Sequence, residues 1–384
     1  MIYLDNNATT PIAPAVRKAM KPFQSTAHGN PSSIHAIGRE ASQAMEMARR
    51  QVAAAIHGRP RGVIFTGGGS EADNMAIKGA AITRRAERDH VVTSAVEHPA
   101  ILQSCQFLEK MGFKVTYLDV DEDGLVRPGD LARAVTEKTS LVTLMMANNE
   151  VGSIHPIHQL ADIAHAKGAW YHSDAIQAVG KIEVDVEAMD VDMMSVTAHK
   201  FHGPKGVGAL YVKKGIQIEP LIHGGGQEEG RRGGTENVAS IIGLGKAAEL
   251  AQLSLKKAPK IAALRDRLEA GIRDLVPGVL LNGHREDRLP NTLNLTLPNL
   301  RGESLVIALD RHGVSLSSGS ACKSGSPEPT HVLLGMGRDT EQSHCAIRLS
   351  LSRTTTKKDI EATLQAFARV LEEMETTVRF IPCK

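Results

Sequence analysis

Aromatic side chains are scarce in this chain: one Trp, four Tyr and seven Phe make up 3% of its residues. Proteins that hold single-stranded nucleic acid stack its bases on such rings, so that class has little to build with here. There are four cysteines, Cys105, Cys322, Cys345 and Cys383, and no two of them form a C-x-x-C pair. A disulfide framework or a structural zinc site calls for closer spacing. The sixteen histidines show no ligand spacing either, so no metal is expected. Neither sign of charge dominates. With 45 Lys and Arg against 43 Asp and Glu, the net charge is +2, which points to neither a nucleic-acid nor a membrane surface. Uncharged apolar runs fall far short of a bilayer span. The start, Met1-Ile-Tyr-Leu-Asp5, lacks the charged and apolar regions of a signal peptide, so a cytoplasmic place is expected. No G-x-x-x-x-G-K-[ST] occurs, and no G-x-G-x-x-G follows a strand-like run; the common nucleotide motifs are therefore missing.

What remains is an ordinary globular composition, 42% apolar and 23% charged over 384 residues, long enough for a large core and two domains. Strand-like runs at Gly62–Thr66, His90–Ser94, Lys114–Leu118, Ser140–Met146, Ala169–His172, Met193–Val196 and Ala209–Val212 are interleaved with helical periodicity. The helical stretches are Glu71–Arg85, Ala100–Met111 and Ile157–Lys167, and a long helix capped by Ser33 precedes them. Such alternation predicts an α/β fold, a mostly parallel seven-stranded sheet covered on both faces. After Gly226 the pattern shifts to paired helices and shorter strands. The expected division is a large domain over 14–256, and a smaller α+β domain formed by 1–13 and 257–384.

In open α/β sheets, ligands sit beyond the carboxyl ends of the strands, so the loops there are where chemistry is sought. Thr66-Gly67-Gly68-Gly69-Ser70 opens a helix and suits one phosphate, through glycine-freed N–H groups and a hydroxyl. Glu97-His98-Pro99 follows the second run; His98 is either a solvated turn residue or a ring set over a ligand. The fourth run ends in Asn148-Asn149-Glu150. The fifth ends in His172-Ser173-Asp174, and a carboxylate at the end of a buried strand needs a cation or takes up a proton. The sixth leads to His199-Lys200 before the turn at Gly203, Pro204, Gly206 and Gly208. A lysine where apolar chain meets such a turn is desolvated and nucleophilic, able to form a Schiff base with pyridoxal phosphate. A protonated pyridine nitrogen would in turn satisfy Asp174.

Taken together, Tyr3-Leu-Asp-Asn-Asn-Ala-Thr-Thr-Pro11, Gly29-Asn-Pro-Ser-Ser33, Glu97-His-Pro-Ala100, Asn148-Asn-Glu150, Asp174-Ala-Ile-Gln177 and His199-Lys200 resemble the cysteine desulfurases, fold-type I enzymes dependent on pyridoxal 5'-phosphate. The resemblance implies that Lys200 carries the cofactor and Asp174 pairs with its ring nitrogen. It implies that His98 stacks on the ring and moves protons, and that Asn149 and Gln177 lie near the phenolic oxygen. Gly69, Ser70, Thr197 and His199 are implied to hold the phosphate. In the same pattern Arg231-Arg-Gly-Gly-Thr235 sends Thr235 into the phosphate site of a partner subunit, which implies a homodimer.

Ser317 to Pro329 is rich in Gly and Ser with prolines at its far end, the composition of a mobile loop, and Cys322 sits near its middle. A thiol on a polar loop is unusual. It is explained if Cys322 takes the sulfur of a bound cysteine and carries it outward. The segment resembles the NifS-like branch of the family, with Cys322 at the nucleophile position and Lys323 where small polar residues are more usual. Arg348 matches the residue that binds the substrate carboxylate, with Asn30 as a helper and Arg353 doubtful or structural. Cys105, Cys345 and Cys383 read as inert. The implied activity converts L-cysteine to L-alanine with the sulfur held as a persulfide. It then passes to an iron–sulfur scaffold or other acceptor protein, for nitrogenase maturation or for general cluster assembly. Two alternatives stand beside it: a selenocysteine lyase or related lyase of the same fold, and a scaffold that binds sulfur acceptors with vestigial catalysis.

Overall fold

The computed structural model describes residues 1–318 and 328–379. Its strands in chain order are β1 (Ile2–Tyr3), β2 (Val63–Thr66), β3 (His90–Ser94), β4 (Lys114–Leu118), β5 (Thr139–Thr143), β6 (Trp170–Asp174), β7 (Met193–Thr197), β8 (Gly208–Val212), β9 (Leu280–Asn282), β10 (Thr292–Thr296), β11 (Val314–Ser315), β12 (Ser317–Ser318) and β13 (Ala346–Ser350). Seven of them form the expected sheet, in the order β2-β8-β7-β6-β5-β3-β4. Only β8 runs against its neighbours, antiparallel to both β2 and β7. The carboxyl ends of β2, β3, β5, β6 and β7 therefore open on one edge. Every residue of β2, β3, β5 and β7 is buried, because helices cover both faces and leave no solvent side for alternation. β4 and β2 are the two edge strands, and β4 is mostly half-exposed. Its following loop lies at the rim, away from the centre.

Two apolar layers fill the two faces of the sheet, one built on Val92, Val142, Tyr171 and Met194, the other on Ile64, Met75, Leu141 and Leu210. The helix Ala36–Ala55 buries Ala41, Met45, Ala48 and Val52 along one stripe, which is the helical period facing a core. It begins at Ala36 with His35 as its cap, His35 Nδ1 accepting from the Gly38 N–H at 3.3 Å. Ser33, the expected cap, is used earlier: its N–H donates to the Asn30 carbonyl at 3.0 Å in the preceding turn. Helix Val238–Ser254 crosses Ala36–Ala55 so closely that a Cβ on Gly245 would lie 2.5 Å from Ala48 Cα. The helical stretch Val238–Leu275 contains a window of mean hydropathy 1.2, by composition long and apolar enough to cross a membrane. Here its small apolar residues Ala247, Ala248 and Ala251 are spent on the protein core.

A second core joins Leu4 to Leu268, Leu293, Leu305, Leu349 and Phe367. It is built on an antiparallel sheet in the order β12-β13-β10-β9, with β1 pairing alongside β11. Leu4 in this core shows that the chain start packs with the C-terminal part. Residues 5–11 then run back between β13 and the turn after β7: the Asn6 N–H donates to the Ser350 carbonyl at 3.2 Å and the Thr10 N–H to the His199 carbonyl at 2.9 Å.

Candidate active site

The loops beyond the aligned strand ends enclose a cavity of about 300 Å³. Gly69 and Ser70 reach it from β2, His98 from β3, Asn149 from β5, Asp174 and Gln177 from β6, and Thr197, His199 and Lys200 from β7. Arg348 closes it from β13, and Asn7 and Ala8 from the chain start. Nine residues expected from strand-end loops thus meet in one place, with Arg348 opposite.

Lys200 lies in the short turn Ala198–Lys200 directly after β7. Its Nζ donates to the carbonyls of Asn7 at 2.6 Å and Ala8 at 2.8 Å. Asp174 ends β6 and is 6% exposed. Its Oδ1 accepts from the Ile176 N–H at 2.8 Å. Burial pushes this carboxyl up to about 6, against the pull of the Ile176 N–H and the Lys200 charge. Such a group calls for a cationic partner on its cavity side.

Beneath Asp174 the central strands carry a polar but neutral floor. His172 is fully buried and bridges Thr143 Oγ1 at 2.8 Å and Ser195 Oγ at 2.9 Å; burial brings its pKa down to about 3. Asp73 Oδ1 is 3.9 Å from His172 Nε2, and burial, then the Asp174 charge, raises its pKa well above the usual carboxylate range. With His172 neutral the contact is not an ion pair. Glu97 is likewise pushed up to about 8, first by burial, while its Oε1 accepts from Ser94 Oγ at 3.0 Å and the Met145 N–H at 2.9 Å. Glu97 keeps its proton at neutral pH and Asp73 is pushed the same way, which leaves Asp174 the best placed of the three to carry charge.

The helix Gly69–Arg84 opens at the cavity with no side chain capping it, so its first N–H groups are free for an anion. A Cβ on Gly69 would sit 2.3 Å from Ile176 Cδ1; only glycine keeps this cradle open. Thr197 spends its hydroxyl on the Val207 carbonyl at 3.1 Å, and His199 Nδ1 meets Thr9 Oγ1 at 3.2 Å. Burial, with the charges of Lys200, Lys205 and Lys181, holds His199 down at about 4. His98 caps its helix, Nδ1 accepting from the Ala100 N–H at 3.1 Å. In the neutral ring that bond leaves the proton on Nε2. Burial, then the Lys200 charge and His331, lowers His98 to about 4, so it is neutral at pH 7.

Arg348 is 1% exposed. NH2 donates to Asp5 Oδ1 at 2.8 Å and NH1 to the Asn149 carbonyl at 3.0 Å, while Nε is buried with no partner among the described residues. A guanidinium lining such a cavity suits a carboxylate. Arg353 donates to Ser254 Oγ at 3.0 Å and lines no part of this cavity, which makes it structural.

Two expected residues lie elsewhere. Asn30 is exposed on its loop, its Oδ1 accepting from the Ser32 N–H at 2.9 Å, and it does not line the cavity. Thr235 is exposed beside Thr66 and Gly67 of the glycine-rich loop, where Arg232 Nε holds Glu71 Oε1 at 2.8 Å. Cys322 falls in 319–327, outside the described residues, and Cys383 in 380–384 likewise. The flanks of the Cys322 segment are defined: β12 pairs with β13, Ser317 opposite Arg348. On the far side, Thr330 Oγ1 donates to Glu150 Oε2 at 2.6 Å and His331 Nε2 meets the Glu97 carbonyl at 2.9 Å.

Sequence reasoning missed Asn7. Its carbonyl accepts from Lys200 and from Gln177 Nε2 at 3.0 Å, and its Nδ2 donates to the Asn149 carbonyl at 3.1 Å and Thr292 Oγ1 at 2.9 Å. Its Oδ1 accepts from Lys181 Nζ at 3.1 Å and Asn291 Nδ2 at 3.0 Å. No local pattern marks such a residue; its partners are up to 343 positions away.

Comparison with known proteins agrees with this geometry. Residues 2–363 match the family described as aminotransferase class-V. The chain belongs to the class-V aminotransferase family. A "Cysteine desulfurase IscS" of Dictyoglomus turgidum is 49% identical over 376 residues, 98% of this chain and 95% of that relative. A solved structure titled "NIFS-LIKE PROTEIN" superposes with a TM-score of 0.91 at 39% identity, covering 97% of this chain and 99% of the other. One titled "SspA in complex with cysteine" gives a TM-score of 0.82 at 35% identity over 93% and 100% of the two chains. As in this class-V family, the fold is that of fold-type I enzymes and the cofactor is pyridoxal 5'-phosphate. The residues present fit it. A glycine-only cradle, a buried acid in want of a cation and a lysine amine face one cavity.

Proposed function

We propose that this chain is a cysteine desulfurase: L-cysteine and the Cys322 thiol give L-alanine and a persulfide on Cys322. One observation carries the reading. Lys200, Asp174, His98 and Arg348 line a single cavity, and the strand leading into the Cys322 segment is paired with Arg348's own strand. When bound, pyridoxal phosphate supplies an electron sink for bonds at the substrate's α and β carbons. Lys200 would hold it, Asp174 would face its ring nitrogen, and Gly69, Ser70, Thr197 and His199 would take its phosphate. Asn149 and Gln177, which line the same cavity, would serve its phenolic oxygen.

Arg348 binds and orients the substrate carboxylate through its guanidinium. The Lys200 amine, held here on the Asn7 and Ala8 carbonyls, would take the proton from the substrate's α-carbon. Neutral His98 offers its Nε2 proton to a leaving or developing charge. Cys322 forms a bond to the substrate sulfur as the bond from that sulfur to the β-carbon breaks, and the β-carbon takes a proton to give alanine. The captured sulfur then passes to an acceptor thiol, consistent with supply to iron–sulfur assembly; a nitrogenase-specific role is a narrower form of the same proposal. Thr235, exposed on its own subunit, belongs in the phosphate site of a second copy, so the working unit is a homodimer; light scattering at two chain masses tests it. Asn30 would join the carboxylate site from the same neighbouring loops. A cytoplasmic place suits a thiol that must stay reduced.

The test is alanine and sulfide release from L-cysteine with a reductant, for wild type and Cys322→Ala in parallel. Both products from wild type and neither from the variant are expected. Full activity in the variant would remove Cys322 as nucleophile and move a selenocysteine-type lyase ahead.

A further inference from the structure

Lys181 lies on the loop that follows β6 and plays no part in the chemistry above. It is half-buried overall, yet its ammonium end donates to Gln177 Oε1 and to Asn7 Oδ1 at 3.1 Å. Both acceptors belong to residues that line the cavity. A lysine ammonium only donates, so the atom of Gln177 that it meets must be the oxygen. That choice turns Gln177 Nε2 the other way, where it donates to the Asn7 carbonyl at 3.0 Å, the same carbonyl that receives Lys200 Nζ at 2.6 Å. Asn7 thus takes one lysine on its side-chain oxygen and the other on its main-chain oxygen.

We propose that Lys181 is a positioning residue for the cofactor pocket, fixing the amide orientation of Gln177 and the Asn7 carbonyl that receives the Lys200 amine. Without Lys181, Gln177 Oε1 is left without its donor in a residue only 4% exposed. The amide would then be held by its Nε2 donation to the Asn7 carbonyl alone, and the cation beside it would be gone. The charged and titratable groups that act on Lys181, or feel it, are Lys200, Arg348, His199 and His202. Burial, then Lys200 and Arg348, pulls the Lys181 pKa well down. The inference concerns the cofactor site alone and stands apart from which amino acid is the substrate.

The test is the pH titration of visible absorbance in the enzyme loaded with pyridoxal phosphate, for wild type, Lys181→Met, Gln177→Ala and the double variant. An N–H donor and a cation both oppose protonation of a nitrogen bound beside them. Lys181→Met should therefore raise the midpoint by roughly one pH unit, while Lys181→Arg keeps it near wild type. Because Lys181 acts through Gln177, adding Lys181→Met to Gln177→Ala should move the midpoint far less than it does alone. Should Lys181→Met not fold, Lys181→Gln, which keeps an amide donor but not the charge, carries the comparison with a smaller rise. An unmoved midpoint, or shifts that simply add, overturns the proposal. A wild type that takes up no cofactor overturns it together with the cofactor site; the two failures are distinct.

Discussion

Asp174 provides a measurement in which removing a functional charge stabilises the protein. Its carboxyl is raised from 3.8 to about 6 by burial, against the Ile176 N–H and the Lys200 charge. A raised pKa means the folded chain binds this proton more tightly than the unfolded one. Its stability contribution is fully present below the unfolded value and is lost as pH rises through the folded one. Roughly two pKa units correspond to a loss of about 3 kcal/mol by pH 7.5 and about 1 kcal/mol at pH 4.5. Asp174→Asn keeps the oxygen that accepts from Ile176 and turns its amide toward the cavity, so little else is lost. Without cofactor, the variant should melt about 5 °C above wild type at pH 7.5, and the gap should shrink about threefold at pH 4.5. With saturating pyridoxal phosphate the order should reverse, because only the carboxylate answers a cationic ring nitrogen. Thermal scans with and without cofactor at the two pH values read all of this. A cofactor-free variant less stable than wild type at pH 7.5, or a gap that ignores pH, would refute the reasoning.

Gly69→Ala places a methyl 2.3 Å from Ile176 Cδ1; relief at an overpacking cost of about 1–3 kcal/mol should weaken pyridoxal phosphate binding about 10- to 100-fold. Ile176→Val deletes that atom and should restore binding in the double variant; equilibrium dialysis decides, and failure to restore would show that the cradle is limited elsewhere. Arg348→Lys gives up the planar fork and its contacts with Asp5 and Asn149. It should lower kcat/KM for L-cysteine about 100-fold, mainly through KM, with cofactor uptake unchanged. An unaltered KM in steady-state assays would place the carboxylate elsewhere.

The chain's local patterns determined a good deal. Alternating apolar runs and helical periods specify a covered parallel sheet, and small, polar or glycine-rich residues after the runs mark where ligands meet it. Gly69, His98, Asp174 and Lys200 were legible because each signal lies within a few residues of its strand end. Other features depend on contacts between distant segments. The reversal of β8 depends on which strands pair. Ser33 is a good cap by type, yet the turn from Asn30 uses it first and His35 takes the helix. Asn7 and Lys181 are 174 positions apart and acquire meaning only when the chain start is drawn between β13 and the turn after β7. Arg348 faces the site because β13 holds it in register between β10 and β12. Periodicity and turn chemistry are written in neighbouring residues; which donor meets which acceptor is set by strand register and by the packing of two cores against one strap of chain.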